Sequence, residues 1–127
     1  PDERDDTDDY SPLPLLMEND GNVFVNITMN ATNLWNTQLS SSDYYLFNID
    51  NASRIAKNNS FNWSLSTITW TQVPVFTPPQ LTIVQLNWSN ASDSAEIDIN
   101  ITVPSISSGE GTGPRSSFIT FTASLGE

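Results

Sequence analysis

The stretch Val23-Phe24-Val25-Asn26-Ile27-Thr28-Met29-Asn30-Ala31-Thr32 decides the fold. Val23, Val25, Ile27, Met29 and Ala31 alternate with Asn26, Thr28, Asn30 and Thr32. A period of two puts the apolar set on one face of a strand and the amides and hydroxyls on the other. That is the pattern of an antiparallel sheet with one face on a core and one in water. Asn19-Asp20-Gly21-Asn22 just before it is a turn signal. Leu34 and Trp35 are placed to close the core at the far end.

The same alternation recurs along the chain. Tyr44–Ile49 reads as a strand. Leu81–Ser89 carries apolar residues on both faces, which predicts a central strand. Glu96–Val103 turns Ile97, Ile99, Ile101 and Val103 inward, and Ser117–Leu125 does the same with Ile119, Phe121, Ala123 and Leu125. Phe61, Trp63 and Leu65 alternate, then the phase slips to Ile68 and Trp70, which predicts a bulge or break near Ser66–Thr67. Residues 50–60 suit a short helical turn. Residues 73–80, with Pro74, Pro78 and Pro79, suit a loop crossing between sheets. The expected architecture is all-β: a single immunoglobulin-like antiparallel β-sandwich of about seven to eight strands, with an N-terminal extension. Residues 1–17 form an acidic arm and a Pro-punctuated donor or edge strand; residues 18–127 form the sandwich.

Composition narrows the function. The 127 residues carry 15 acids against 4 basic residues, a net charge of −11, with no Cys and no His. Disulfides, Cys-ligated metals and His-dependent catalysis are therefore excluded. So few cations cannot neutralise phosphates, so no nucleic acid is expected as a partner. No apolar run is long enough for a helical membrane span. The acids lie mostly in the arm or at outward strand positions, so no pair is set across a cleft, and the chain is read as not an enzyme. Lys57 could join an Asn or Asp side chain in an intramolecular amide; a solvated lysine is the expectation. The start at Pro1 fits a mature form whose leader has been removed, or a domain excised from a longer chain.

The 14 Asn, 17 Ser and 13 Thr are not scattered. Eight Asn head N-x-S/T sequons: Asn26, Asn30, Asn51, Asn58, Asn62, Asn87, Asn90 and Asn100. Random placement gives about three. Sequons are acceptors for N-linked glycans on extracellular proteins. The middle residue is apolar in seven of the eight. On a strand this points Asn and hydroxyl outward and the middle residue, including Trp63 and Trp88, into the core. Core packing is accordingly the expected role of the tryptophans, ahead of a carbohydrate platform built from Trp35, Trp63, Trp70 and Trp88.

The N-terminus stands apart. Residues 1–9 hold six acids and one Arg, nearly half the net charge. Asp5, Asp6, Asp8 and Asp9, with Asp20 from the turn, are candidate calcium ligands, since Ca²⁺ takes carboxylate and carbonyl oxygens; the solvated tail is the simpler expectation. Leu13, Leu15 and Met17 alternate with Pro12, Pro14 and Leu16, and with Tyr10 they are the candidate inter-subunit residues. Proline cannot donate to a ladder, so this segment is an edge strand of its own sandwich or a strand given to a neighbour.

Two stretches carry a family resemblance. Glu18-Asn19-Asp20-Gly21-Asn22-Val23-Phe24-Val25-Asn26-Ile27-Thr28 resembles the N-x-G-x-V-x-V-x-V opening of secreted β-sandwich domains on archaeal and bacterial surfaces. Ala95–Val103, Pro104 and Ser116-Ser117-Phe118-Ile119-Thr120-Phe121-Thr122-Ala123-Ser124 resemble their closing pattern. The likeness is to the TasA and archaeal bundling-pilus fibre subunits and to surface-layer proteins. It implies an N-terminal donor strand and an archaeal cell surface. The expected function is a structural subunit of a glycosylated extracellular filament, a homopolymer of copies of itself that could also meet other cell surfaces. The alternatives are a surface-layer or adhesin domain, or a carbohydrate-binding module.

Overall fold

The computed structural model describes residues 13–38, 42–105 and 109–126. Among the described residues seven strands follow one another: β1 (Leu15–Glu18), β2 (Val25–Ala31), β3 (Tyr45–Asn51), β4 (Thr71–Gln72), β5 (Gln80–Leu86), β6 (Ser94–Ile101) and β7 (Ile119–Leu125). Short 3₁₀ turns occupy Ser53–Ile55 and Trp63–Leu65, and no α-helix occurs among the described residues. The strands make two antiparallel sheets, β1-β6-β3-β4 and β5-β2-β7. This is the antiparallel two-sheet β-sandwich that the alternation predicts, with immunoglobulin-like inner pairs β2–β5 and β3–β6.

The core lies between the sheets. Phe47 and Ile49 of β3 and Ala95 and Ile97 of β6 come from one side; Ile27 and Met29 of β2 and Ile83 and Leu86 of β5 come from the other. Each large side chain fully buried here stabilises the fold by about 1.5–3 kcal/mol. On β2 the wet face pairs in register with β7, Asn26 with Ser124, Thr28 with Thr122 and Asn30 with Thr120. Trp35 is buried, its indole N–H donating to the Tyr44 carbonyl at 3.3 Å, and Leu34 packs beside it against the core.

The terminal strands depart from the constant-type immunoglobulin order. That order puts strands 1, 2, 5 and 4 in one sheet and 3, 6 and 7 in the other. Here the inner pairs β2–β5 and β3–β6 are kept, but β1 lies beside β6 and β7 beside β2, and β4 has moved from β5 to the free edge of β3. The first strand thus fills the place of the last, with Leu15 opposite Ile97 and Met17 opposite Ala95.

Several local expectations are corrected. Trp63 and Trp88 do not point into the core; they are 45% and 46% exposed. Trp63 lies in a 3₁₀ turn, stacked on Phe61 at 5.8 Å, and Trp88 lies in the turn after β5, so the two-residue alternation of a strand applies to neither. β5 is an edge strand, not a central one. Its apolar pattern has another cause: residues 60–67 lie along its outer edge. Asn62 N donates to Val84 O at 2.8 Å, Thr67 N to Thr82 O at 2.9 Å, and Val84 N to Ser66 Oγ at 2.9 Å. Ile101 and Val103 are exposed because the buried cluster ends at Ile97 and Ile99. Ala123 and Leu125 of β7 are exposed as well, and Val23 lies outside β2 on the surface.

The chain does break at Ser66, but the sheet irregularity sits elsewhere. Val25 pairs with Leu86 and Ile27 with Ile83, so β5 has an extra residue there. Gln85 adopts φ 57, an uncommon left-handed conformation for a non-glycine residue. The bulge removes its N–H from the ladder, and Asn26 Oδ1 accepts it at 2.9 Å.

Candidate functional site

The N-terminal edge is the first candidate. Leu13, Leu15 and Leu16 are all exposed, and of this segment Met17 packs against the core. Tyr10 lies outside the described residues. β1 is held to its own sheet through the four-residue ladder with β6. Its joint to the rest of the chain is Asn19, whose hydrogen-bonding groups are spread over three elements. The Asn19 backbone N–H donates to Asp93 O at 2.8 Å, Nδ2 donates to Val23 O at 2.8 Å and Leu86 O at 2.9 Å, and Oδ1 accepts Gly21 N–H at 3.1 Å. Sequence reading saw only a turn here. The signal that was present is the Asn before Asp-Gly, a residue that readily bonds to the backbone two positions on.

The calcium reading finds one of its residues in the described chain. Asp5, Asp6, Asp8 and Asp9 lie outside the described residues. Asp20 is exposed, and no group of three or more carboxylate, His or Cys side chains suited to a metal occurs among the described residues.

The acids that matter to the folded domain are buried ones. Each of the three described basic residues faces a buried carboxylate: Arg54 faces Glu96 at 3.6 Å, Lys57 faces Asp93 at 3.0 Å and Arg115 faces Glu110 at 3.0 Å. Lys57 is thus paired and partly buried, contrary to the solvated lysine expected. Burial alone would raise the Asp93 pKa, but the Ser94 hydroxyl and Lys57 outweigh it and hold it below the usual range. Burial raises that of Tyr45, against a hydrogen bond from its hydroxyl to Ser117 Oγ at 3.0 Å.

Glu110 has the fullest shell. Its carboxylate accepts Asn36 N at 2.7 Å, Thr37 N at 2.9 Å, Thr37 Oγ1 at 2.8 Å and Arg115 Nε at 3.0 Å. Burial pushes its pKa up, but these four donors pull it down to about 2. The arrangement is a clamp between two loops. A depressed pKa stabilises the fold above the ordinary glutamate range, and that contribution is lost as pH falls from about 4.5 through about 2. Glu110→Gln is expected to lower the urea midpoint at pH 6, with the gap to the parent closing by pH 2–3. A gap of equal size at both pH values would show that ionisation of Glu110 is not what the clamp uses.

The sequon asparagines are spread over both sheets. Asn26 and Asn30 lie on β2, Asn51 ends β3, Asn100 lies on β6, and the others are in turns. Asn58, Asn90 and Asn100 are exposed, and Asn26, Asn30, Asn51, Asn62 and Asn87 are half-buried.

Between β4 and β5 the sandwich is open. A groove of about 330 Å³ has Phe47 among its lining residues and is bordered by Trp70, Phe76 and Leu81, with Gln72 and Gln80 as polar neighbours. Among the described residues no ionisable side chain lines it, on a chain of net charge −11. Sequence reading missed it because its walls come from the Pro-rich crossing loop and a two-residue strand, neither of which has a periodic signature. No helix among the described residues is long and apolar enough to cross a membrane. No known protein family, curated protein or solved structure matches this chain.

Proposed function

We propose that this chain is a structural subunit of a glycosylated extracellular filament or pilus-like fibre, assembled head-to-tail by β-strand addition through its N-terminal segment. The observation that carries this reading is the place of β1. It takes the edge position beside β6 that the last strand occupies in the constant-type order, and it exposes Leu13, Leu15 and Leu16 there. A strand donated by a neighbour could make the same ladder, Leu15 with Ile97 and Met17 with Ala95, at no loss of backbone hydrogen bonds. Such a contact joins two different surfaces, so its repetition need not close and builds a fibre. The fifteen acids set copies against one another, so assembly is expected to be faster at higher salt.

Deletion of residues 1–18 tests the proposal. It is expected to abolish fibres in electron micrographs. A peptide of residues 10–18 added in trans is expected to bind the truncated chain and restore its cooperative unfolding without restoring fibres. Fibres from the truncated chain alone, or no binding of the peptide, would refute the strand-addition mechanism.

The aromatic groove favours a second reading, a carbohydrate-binding module. Aromatic rings beside neutral amides, with no charge, suit an uncharged sugar ring better than an ion. Affinity electrophoresis in gels containing neutral glucans or mannans should retard the chain, and Trp70→Ala should remove the shift. Unchanged mobility in every gel counts against this reading.

A further inference from the structure

N-linked transfer consumes the side-chain nitrogen of asparagine, and the fold already uses that atom at some sequons. A carbonyl oxygen can only accept and a backbone N–H can only donate, so each partner identifies which end of the carboxamide is engaged. Asn30 Nδ2 donates to the carbonyl of Pro74 at 3.4 Å and to that of Phe76, tying β2 to the crossing loop. Asn87 Oδ1 accepts Trp88 N–H at 2.7 Å and Ser89 N–H at 3.2 Å, which leaves Nδ2 to donate to Ser92 Oγ at 2.9 Å. The same turn is closed by Ser92 N–H on Ser89 O at 2.7 Å. At both residues the nitrogen is held within the fold.

Other sequons present the opposite end. Asn26 Oδ1 accepts the Gln85 N–H at 2.9 Å, and Asn51 Oδ1 accepts the Asn59 N–H at 3.3 Å. In each, the nitrogen is the end left out of that bond. Asn90 and Asn100 are exposed. Asn58 and Asn62 bond through Ser and Gln side chains, which rotate or flip, so their geometry does not sort them.

We propose that the folded chain takes N-linked glycans at Asn26, Asn51, Asn90 and Asn100 and stays bare at Asn30 and Asn87. The proposal rests on the reading of the chain as a glycoprotein, and adds that transfer acts on the folded domain. The chemistry is substitution at the anomeric carbon of a sugar activated as a phosphate ester. The Nδ2–C1 bond forms, the C1–O bond breaks, the phosphate leaves with the bonding pair, and Nδ2 gives one proton to the transferase's base. A nitrogen held in the fold's own hydrogen bonds is withheld from that attack. Two matched pairs make the division sharp. Asn26 and Asn30 both lie on β2 with Thr at the third sequon position; Asn87 and Asn90 both flank one turn with Ser at that position.

Site-resolved glycopeptide mass spectrometry on the protein from its natural source tests this. Sugar is expected at Asn26 and Asn90 and none at Asn30 and Asn87. Sugar at Asn30 or Asn87 overturns the division while leaving the glycoprotein reading intact; no sugar at any of the eight overturns both. Ser92→Ala supplies a second arm. It removes the acceptor of Asn87 Nδ2 and also the sequon of Asn90, so occupancy is expected to move from Asn90 to Asn87. A bare Asn87 in that variant would show that the hydrogen bond is not what protects it.

Discussion

Replacing Phe47 by alanine is expected to lower the unfolding free energy by about 3–5 kcal/mol. Phe47 is 1% exposed at the middle of β3, opposite Ile99 on one side and Thr71 on the other. Its ring belongs to the cluster that joins the two sheets, and it also lines the groove between β4 and β5. Removing it costs the transfer free energy of the ring and leaves a void that strands ladder-bonded on both sides cannot close. A domain of this size has about 5–15 kcal/mol to lose. The thermal midpoint should fall by about 10–20 °C. Phe118, 76% exposed, is the control, and its change to alanine should stay within about 0.5 kcal/mol. Parallel melts followed by near-ultraviolet circular dichroism check both. A loss below about 1 kcal/mol for Phe47→Ala would mean the two sheets do not pack through this ring.

Asn19→Ala should cost about 2–3 kcal/mol, and its effect should be local before it is global. The substitution strands the carbonyls of Val23 and Leu86, which Asn19 Nδ2 now serves, and frees the Gly21 N–H. Buried polar groups left without partners carry most of that cost. β1 has a four-residue ladder and exposed leucines, so little else holds it. Hydrogen exchange over residues 13–18 should therefore accelerate in the variant while residues 45–51 stay protected, the signature of sub-global opening. Equal acceleration in both segments would show that Asn19 holds the whole sandwich rather than the joint of β1. The experiment bears on the proposed strand addition, which requires β1 to leave its own edge before a neighbour's strand can take its place.

The sandwich was legible because alternation is a local property. Val25, Ile27, Met29 and Ala31 report their common face without reference to any other residue, and three of the four are buried. The limits appear wherever a residue's surroundings come from elsewhere. Trp63 and Trp88 alternate with sequon residues in the same way, yet a 3₁₀ turn and a loop carry them outside. β5 has the composition of a central strand, but the cover on its second side is the 60–67 segment instead of a sheet neighbour. For the candidate sites, the sequons and the leucines of the first strand could be named in advance. The Asn19 joint, the Glu110 clamp and the aromatic groove could not, since each is assembled from segments far apart in the chain.

The sequence by itself determined the β class, the two-faced strands and the eight sequon asparagines, because these follow from neighbouring residues and their spacing. Only the tertiary structure decided which strand lies on which edge, which tryptophans meet water and which end of each asparagine is spent. Those depend on contacts such as Asn26 with Gln85 and Glu110 with Asn36, 59 and 74 residues apart, where the energy of a buried polar group is settled by the partner that folding brings to it.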